Sequence, residues 1–237
     1  MMSLFISAAA DPANASGDEG GGFSGALGSI AEFISDGGVF MYLILACSVF
    51  ALAIVLFKAL ALRQDMVIPR KLRHLLENTA GLFADGNEDQ LQSALARNES
   101  ALARIGRVAF GPGHRTRLEA ERAVQNQARE DVLRLETGIP ALEVVITIAP
   151  MLGLLGTVSG LVIVFSELGG GALDADPTQI ALGIAQALNT TVAGLAVAIP
   201  AVIAHSYFSK KIERLAVSLE GIFGRVLGDI YGGAENE

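Results

Sequence analysis

The sequence predicts an all-α membrane protein with three transmembrane helices and long cytoplasmic helical extensions. Composition is the first reason. Hydrophobic residues make up 51% and charged residues 18% of the 237-residue chain, whereas about 25% of the residues in a soluble domain are charged. The second reason is where the charges lie. All 17 Lys and Arg residues fall in two windows, Lys58–Arg134 and Lys210–Arg225.

Three uncharged apolar runs lie between these windows and before them, at residues 37–57, 144–166 and 178–209. A helix needs about 20 apolar residues to cross the bilayer core, so each run is long enough to span the membrane once. Positive residues mark the cytoplasmic side. Three spans place the amino terminus outside and the carboxyl terminus inside, and both basic windows then become cytoplasmic.

The predicted organisation has one region for each run and each connection. The apolar stretch in residues 1–15 is short and carries no basic residue, but it ends in a small-x-small pattern, so cleavage there stays open as an alternative. The regions are an external tail at 1–36, transmembrane helices at 37–61, 141–166 and 178–208, a cytoplasmic helical region at 62–140, an external loop at 167–177, and a cytoplasmic helix and tail at 209–237.

The composition also argues against several classes of function. A net charge of -8 is unsuited to nucleic-acid binding. Cys47 is the single cysteine and the three histidines are far apart, so the pattern predicts neither a disulfide nor a metal site. No phosphate loop or nucleophile motif is present. We therefore expect no enzymatic activity and no cofactor.

The two basic windows contain amphipathic helical patterns. Leu118, Val124, Ala128 and Leu135 form an apolar stripe on the helix that leads to the second span. A second stripe continues the third span into the cytoplasm, at Leu215, Leu219, Ile222 and Val226. These helices either bind a partner or other copies of the chain, or pack on one another as a helical loop. The pattern does not separate the two.

The second and third spans differ from the first. The first is rich in Leu, Phe and Val and suits contact with lipid. Small residues in the other two let helix backbones approach closely, so we expect these helices to face protein or a water-filled passage, shielded by the first span. The predicted helix-packing residues are Gly153, Gly156, Gly160, Gly194, Pro150 and Pro200.

Two threonines lie near the middle of these spans. Thr157 is about 14 Å and Thr191 about 20 Å from the outer ends of their helices, at a rise of 1.5 Å per residue. Because the helices run antiparallel, the two residues can sit at a similar level. A hydroxyl can solvate a carboxyl group or a file of waters, which predicts a proton pathway. The alternative is that each hydroxyl bonds a carbonyl of its own helix.

Glu143 is the one acid within an apolar stretch, about 21 Å along the helix from Thr157. It either snorkels at the cytoplasmic interface or lines the inner mouth of a pathway. The middle of the bilayer has no acid or base from this chain. If protons cross here, another polypeptide must supply the group that titrates.

Two motifs carry a resemblance to a known family. TIAPMLGLLGTVSGLV at 147–162 and GIAQALNTTVAGLAVAIPAVIAHSYF at 183–208 closely resemble the MotA/TolQ/ExbB proton-channel family, and its ExbB/TolQ branch in particular. Both motifs occur in the family's order, on the corresponding spans. The four-span MotA branch differs from this chain in its number of spans.

The resemblance implies a bacterial inner-membrane protein that forms a homopentameric ring around two copies of an ExbD/TolR-like partner. That partner has a single span, which carries the proton-binding aspartate. The family's channel threonines correspond to Thr157 and Thr191. Family members often have a glutamate where this chain has Gln186, so either the glutamate is dispensable or the route differs in detail. Gln186 is a candidate lining residue.

The resemblance also implies a function. The proton motive force would move the partner, and a periplasm-spanning TonB/TolA-like protein would pass the motion to the outer membrane. An ExbB-like role in TonB-dependent transport is the leading hypothesis. A TolQ-like role in envelope maintenance and cell division is the first alternative, and a non-conducting membrane scaffold is the second.

Overall fold

A computed structural model describes residues 37–79, 81, 88–111, 116–169 and 177–232. The regular structure within these ranges is helical throughout. The predicted tail at 1–36, most of the predicted loop at 167–177 and the last five residues lie outside the described residues.

Eight helices have bounds within the described ranges, and they follow one another along the chain. Ser100 and Thr116 cap two of them, because each hydroxyl accepts the backbone N–H three residues further on. The helices are α1 (Gly38–Ala61), α2 (Gln64–Val67), α3 (Arg70–Glu77), α4 (Glu88–Ala96), α5 (Ala101–Ala109), α6 (Arg117–Glu136), α7 (Ile139–Gly169) and α8 (Pro177–Gly232).

Three of the described helical segments are long and apolar enough to cross a membrane, and they contain α1, α7 and the first half of α8. This agrees with the three predicted spans. Pro150 and Pro200 lie inside α7 and α8, and neither ends its helix. Membrane helices tolerate such prolines because neighbouring helices and hydroxyl side chains satisfy the freed backbone groups.

The second half of α8 packs with α2–α6 in a helical bundle, which we define as the described residues of 62–136 together with residues 208–232. Its core is a cluster of buried Leu and Ile side chains from α3, α4 and α5 packed against α8. The predicted stripe on α8 is confirmed, since all four of its residues are buried, with 1–6% exposure: Leu215, Leu219, Ile222 and Val226.

The predicted stripe on α6 is correct in its middle and wrong at its start. Val124 is buried and Ala128 and Leu135 pack against the core, but Leu118 is 56% exposed. Asp131 is fully buried on the same side of the helix. Its carboxylate accepts hydrogen bonds from Arg104 of α5, at 2.7 Å, and from Gln127, at 3.4 Å.

A tight joint connects the bundle to the apolar helices. Gly138 separates α6 from α7 and has φ +88°, a conformation that favours glycine. Lys58, near the end of α1, is 2% exposed and donates a hydrogen bond of 2.7 Å to the carbonyl of Leu135. A cation at the end of α6 complements that helix's dipole. The side chain of Lys58 thus links α1 to the end of α6.

Candidate functional site

Helices α7 and α8 pack antiparallel with their backbones in close contact. A Cβ atom built on Gly153 would lie 2.9 Å from the carbonyl oxygen of Thr190, and one on Gly194 would lie 2.6 Å from that of Ala149. A Cβ on Gly160 would lie 2.6 Å from the carbonyl oxygen of Gly183. Gly156 leaves room for the side chain of Thr190. These four predicted glycines therefore face the partner helix.

The adjacent threonines of α8 have different surroundings. Thr190 is fully buried, and its hydroxyl lies 3.0 Å and 3.1 Å from the carbonyl oxygens of Ala187 and Gln186 in its own helix. Thr191 is half-buried, and its hydroxyl donates across the interface to the carbonyl of Gly153, at 3.2 Å. Thr190 therefore fills the helix interface, whereas Thr191 lies at its edge.

Thr157 also lies at the edge of the interface. It is half-buried, and its hydroxyl donates to the carbonyl of Leu154 in its own helix, at 2.6 Å. The sequence left open the alternative that each threonine hydroxyl bonds a carbonyl of its own helix, and Thr157 makes such a bond. With the hydroxyl proton engaged, each threonine oxygen keeps free lone pairs. Both oxygens can therefore accept a hydrogen bond from water or from a protonated carboxyl group.

The sequence suggested that the two threonines could sit at a similar level, but in the structure their levels differ. Thr191 bonds to Gly153 and so marks that residue's level on α7. Thr157 is four residues further along α7, or about 6 Å at 1.5 Å per residue. The offset arises because glycines facing Thr190, Ala149 and Gly183 set the register of the two helices. Thr157 and Thr191 do not set it. A group passing between them would meet one hydroxyl after the other.

Both threonines lie on the side of the α7–α8 pair that α1 leaves uncovered. Ala51 of α1 packs into a cluster with Val145 of α7 and Ala201 of α8. Thr157 is twelve residues from Val145, which turns it about 120° around α7 at 3.6 residues per turn. The side chains that flank the two threonines are exposed in the single chain, with Leu154 at 64%, Leu188 at 61% and Leu195 at 47%. We call this side the threonine face.

Gln186 lies on the other side of α8. Its amide nitrogen is close against Gly38, which starts α1 with φ +65°. Five residues separate Gln186 from Thr191, so they are about 140° apart around the helix. In the single chain the structure brings Gln186 to the beginning of α1 and does not bring it to the two threonines.

Glu143 lies on the threonine side of α7. Fourteen residues, nearly four turns, separate it from Thr157, so both occupy similar positions around the helix. Its side chain is exposed, and its backbone carbonyl accepts a 3.1 Å hydrogen bond from Thr147. Sequence reasoning missed Thr147, although its hydroxyl lies in the same apolar run. A polar residue one turn from Glu143 was the available signal.

Comparison with known proteins bears on this arrangement. Residues 97–221, which include all of α7 and most of α8, match the MotA/TolQ/ExbB proton channel family. The chain belongs to this family. The match covers more than half of the chain, and it includes Thr157, Thr191 and all the packing glycines.

Several relatives within the family are named for transport. The chain is 31% identical over 189 residues to a biopolymer transport protein ExbB homolog of Methanothermobacter thermautotrophicus, covering 79% of this chain and 65% of that protein. It is 34% identical over 199 residues to biopolymer transport protein ExbB-like 1 of Synechocystis, covering 80% and 70%. The chain thus spans about two thirds of the length of these relatives.

The family's other envelope branch is also represented. The Tol-Pal system protein TolQ of Haemophilus influenzae is 37% identical over 94 residues, which cover 40% of this chain and 41% of that protein. Similarity alone therefore identifies an ExbB/TolQ-like protein with membrane-spanning helices. It leaves the choice between the two systems open.

Proposed function

We propose that this chain is an ExbB-like subunit of an inner-membrane proton-channel motor. It would form a homopentameric ring with the threonine face turned inward, around an ExbD/TolR-like partner that carries the proton-binding aspartate. The motor would couple the proton motive force, through a TonB/TolA-like protein, to TonB-dependent transport across the outer membrane. Membership of the family supports the channel role, and the threonine face supplies the residues for it.

One observation carries the proposal. In residues 144–166 of α7 and 177–204 of α8, no described side chain is ionisable, yet two threonine oxygens remain open to accept hydrogen bonds. Hydroxyls at membrane depth are costly unless they are paired or wetted. A face with acceptors and no charge suits a neutral, protonated acid brought by a partner, because the acid can donate its proton to either oxygen.

The proposed orientation follows from the charges. Glu143 and the basic helical bundle lie at one end of the α7–α8 pair, and positive residues favour the cytoplasmic side. A proton crossing towards that end releases about 2.3 kcal/mol per 100 mV of membrane potential. The offset of about 6 Å between the two hydroxyls would let a partner's acid meet them in turn as the ring and partner move.

The test is proton flux through the assembled motor. We expect Thr157→Val and Thr191→Val, coexpressed with the ExbD/TolR-like partner and reconstituted in vesicles, each to lower proton uptake by about fivefold, since a lost hydrogen bond costs roughly 1 kcal/mol and 1.4 kcal/mol is tenfold. Uptake is measured with a pH-sensitive dye under an imposed membrane potential.

Thr190→Val is a matched control. Thr190 adjoins Thr191 at nearly the same depth, but its side chain faces Gly156 in the interface and not the threonine face. We expect this variant to conduct within about twofold of the natural chain. Unchanged flux in the Thr157 and Thr191 double variant would remove both residues from the pathway. Absence of flux through the natural complex would favour the non-conducting scaffold.

The partner dependence is a separate part of the proposal. Without a mid-membrane acid of its own, the ring alone should conduct few protons. Strong flux through the purified chain without a partner would contradict this. Copurification with a TonB-like or a TolA-like protein would decide between the ExbB-like role and the TolQ-like alternative.

A further inference from the structure

A cavity of about 340 Å³ opens where the helical bundle meets the α7–α8 pair. It lies between the end of α6, the beginning of α7 and the middle of α8. Its floor is apolar and includes Ile139, Pro140 and Ile212. Its polar lining groups are the Ser209 hydroxyl and two carboxylates, Glu136 and Glu213.

The cavity is in line with the threonine face. Ile139 is eighteen residues before Thr157 on α7, and Ser209 is eighteen residues after Thr191 on α8. Eighteen residues make five turns, so each lining residue lies directly below its threonine, about 27 Å away along the helix. The cavity therefore lies at the bundle end of the surface on which the proposed partner span would lie.

The two carboxylates are open to a cationic ligand. Both side chains are exposed, and within the described ranges no ion pair engages either of them. Three other acids of the bundle, Glu121, Glu130 and Asp131, each pair with an arginine.

We propose that this cavity binds the basic juxtamembrane segment of the single-span partner. The inference rests on the proposed function, because it takes the partner's span to lie along the threonine face. A span on that face leaves the membrane directly over the cavity. Residues next to a span on the cytoplasmic side are enriched in Lys and Arg, and their long side chains bury apolar stems while the charged ends stay wet. An apolar floor with two unpaired carboxylates matches that chemistry.

Photo-crosslinking in the full coexpressed complex tests the position. A photoreactive phenylalanine derivative replaces Ser209 in the cavity or Leu195 on the threonine face. We expect both positions to crosslink to the coexpressed partner. A crosslink from Leu195 without one from Ser209 would overturn the cavity assignment and leave the proposed function standing. Absence of both would count against the partner's span on this face, and so against the proposed function as well.

The identity of the crosslinked species is equally decisive. Mass analysis distinguishes the partner from a second copy of this chain and from a lipid. If Ser209 crosslinks to a second copy or to lipid in place of the partner, the cavity has another occupant and the inference fails.

Charge reversal tests the chemistry with a matched control. Glu213→Lys should reduce the Ser209 crosslink by about tenfold, the value of roughly one charge-assisted hydrogen bond. Glu220→Lys makes the same change on the same side of α8, two turns or about 10 Å further on, and Glu220 does not line the cavity. We expect it to leave the crosslink within about twofold of the natural yield. Equal losses in both variants, or no loss in Glu213→Lys, would overturn the inference.

Discussion

The first half of α8 packs through glycine, alanine and backbone atoms, whereas the second half packs through leucine, isoleucine and phenylalanine side chains. Both halves belong to one continuous helix. Within lipid, apolar side chains gain little by leaving their surroundings, so helices associate through close backbone approach. In water, burial of large apolar side chains drives the packing. The difference shows where the surroundings of α8 change from lipid to water.

The polar groups follow the same division. The apolar half of the α7–α8 pair holds hydroxyls bonded to carbonyls. The bundle holds ion pairs, and one of them has a fully buried carboxylate. Because α8 passes through both regions without a break, it can hold the threonine face in a fixed relation to the bundle and to the joint at Gly138.

Removing the buried charge should give the largest effect on the bundle. Asp131→Asn keeps the shape of the side chain but leaves Arg104 without its partner. Loss of one member of a buried pair costs about 3–5 kcal/mol. Arg104 keeps 28% exposure, so we expect a loss of about 2–3 kcal/mol in the free energy of unfolding. Urea unfolding of the chain in detergent, followed by circular dichroism, measures it.

Glu121→Gln is the control for that change. Glu121 pairs with Arg117 at 3.0 Å, with both side chains well exposed, and exposed pairs contribute about 0–1 kcal/mol. If Asp131→Asn destabilises no more than Glu121→Gln does, the buried pair is not what joins α5 to α6.

The glycines allow a comparison between the two regions. Gly156→Ala places a Cβ against the Thr190 side chain, and overpacking of this kind costs about 1–3 kcal/mol. Gly224→Ala meets no described atom within 4 Å. It should stabilise the helix by about 0.5–1 kcal/mol, because alanine loses less backbone entropy than glycine. Thermal unfolding in detergent compares the two, and a Gly156→Ala variant as stable as the Gly224→Ala variant would show that Gly156 is not a packing contact.

The sequence predicted much of this fold because the dominant constraint is simple. A run of about 20 apolar residues between basic windows has few options other than spanning a bilayer. Gly153, Gly156, Gly160 and Gly194 were also predictable, since close helix packing requires small residues. The sequence alone does not show which side of α8 is covered by α1. For that reason, only the structure shows that Gln186 and the two threonines lie on different sides of the helix.

Two buried charges were missed, each for its own reason. Lys58 looked like the first residue of a basic window, but it is buried where α1 meets the end of α6. Asp131 lies seven residues after Val124, on the apolar side of α6, and that spacing was a usable signal. Its partner Arg104 is 27 residues away in the chain, and no local pattern connects the two.

The smallest expected effect concerns the exposed end of α3, beside the second half of α8. Arg73 donates a 2.8 Å hydrogen bond to Glu77, which lowers the pKa of that carboxyl group. Arg225 of α8 lies 3.7 Å from the same carboxylate. Because the folded-state pKa is depressed, the pair contributes stability above the pKa of the unfolded state. That contribution is lost as the pH falls through the folded-state pKa.

Arg73→Gln should therefore flatten the acid side of the stability profile and leave a slightly lower plateau at neutral pH. Thermal midpoints measured from neutral to acidic pH, for this variant and for the natural chain, give the comparison. The two curves should converge at the acid end, where Glu77 is protonated in both proteins and the hydrogen bond to Arg73 no longer carries a charge on the acceptor. A constant offset at all pH values would mean that Arg73 acts through packing. The ion pair would then add nothing to the contact between α3 and α8.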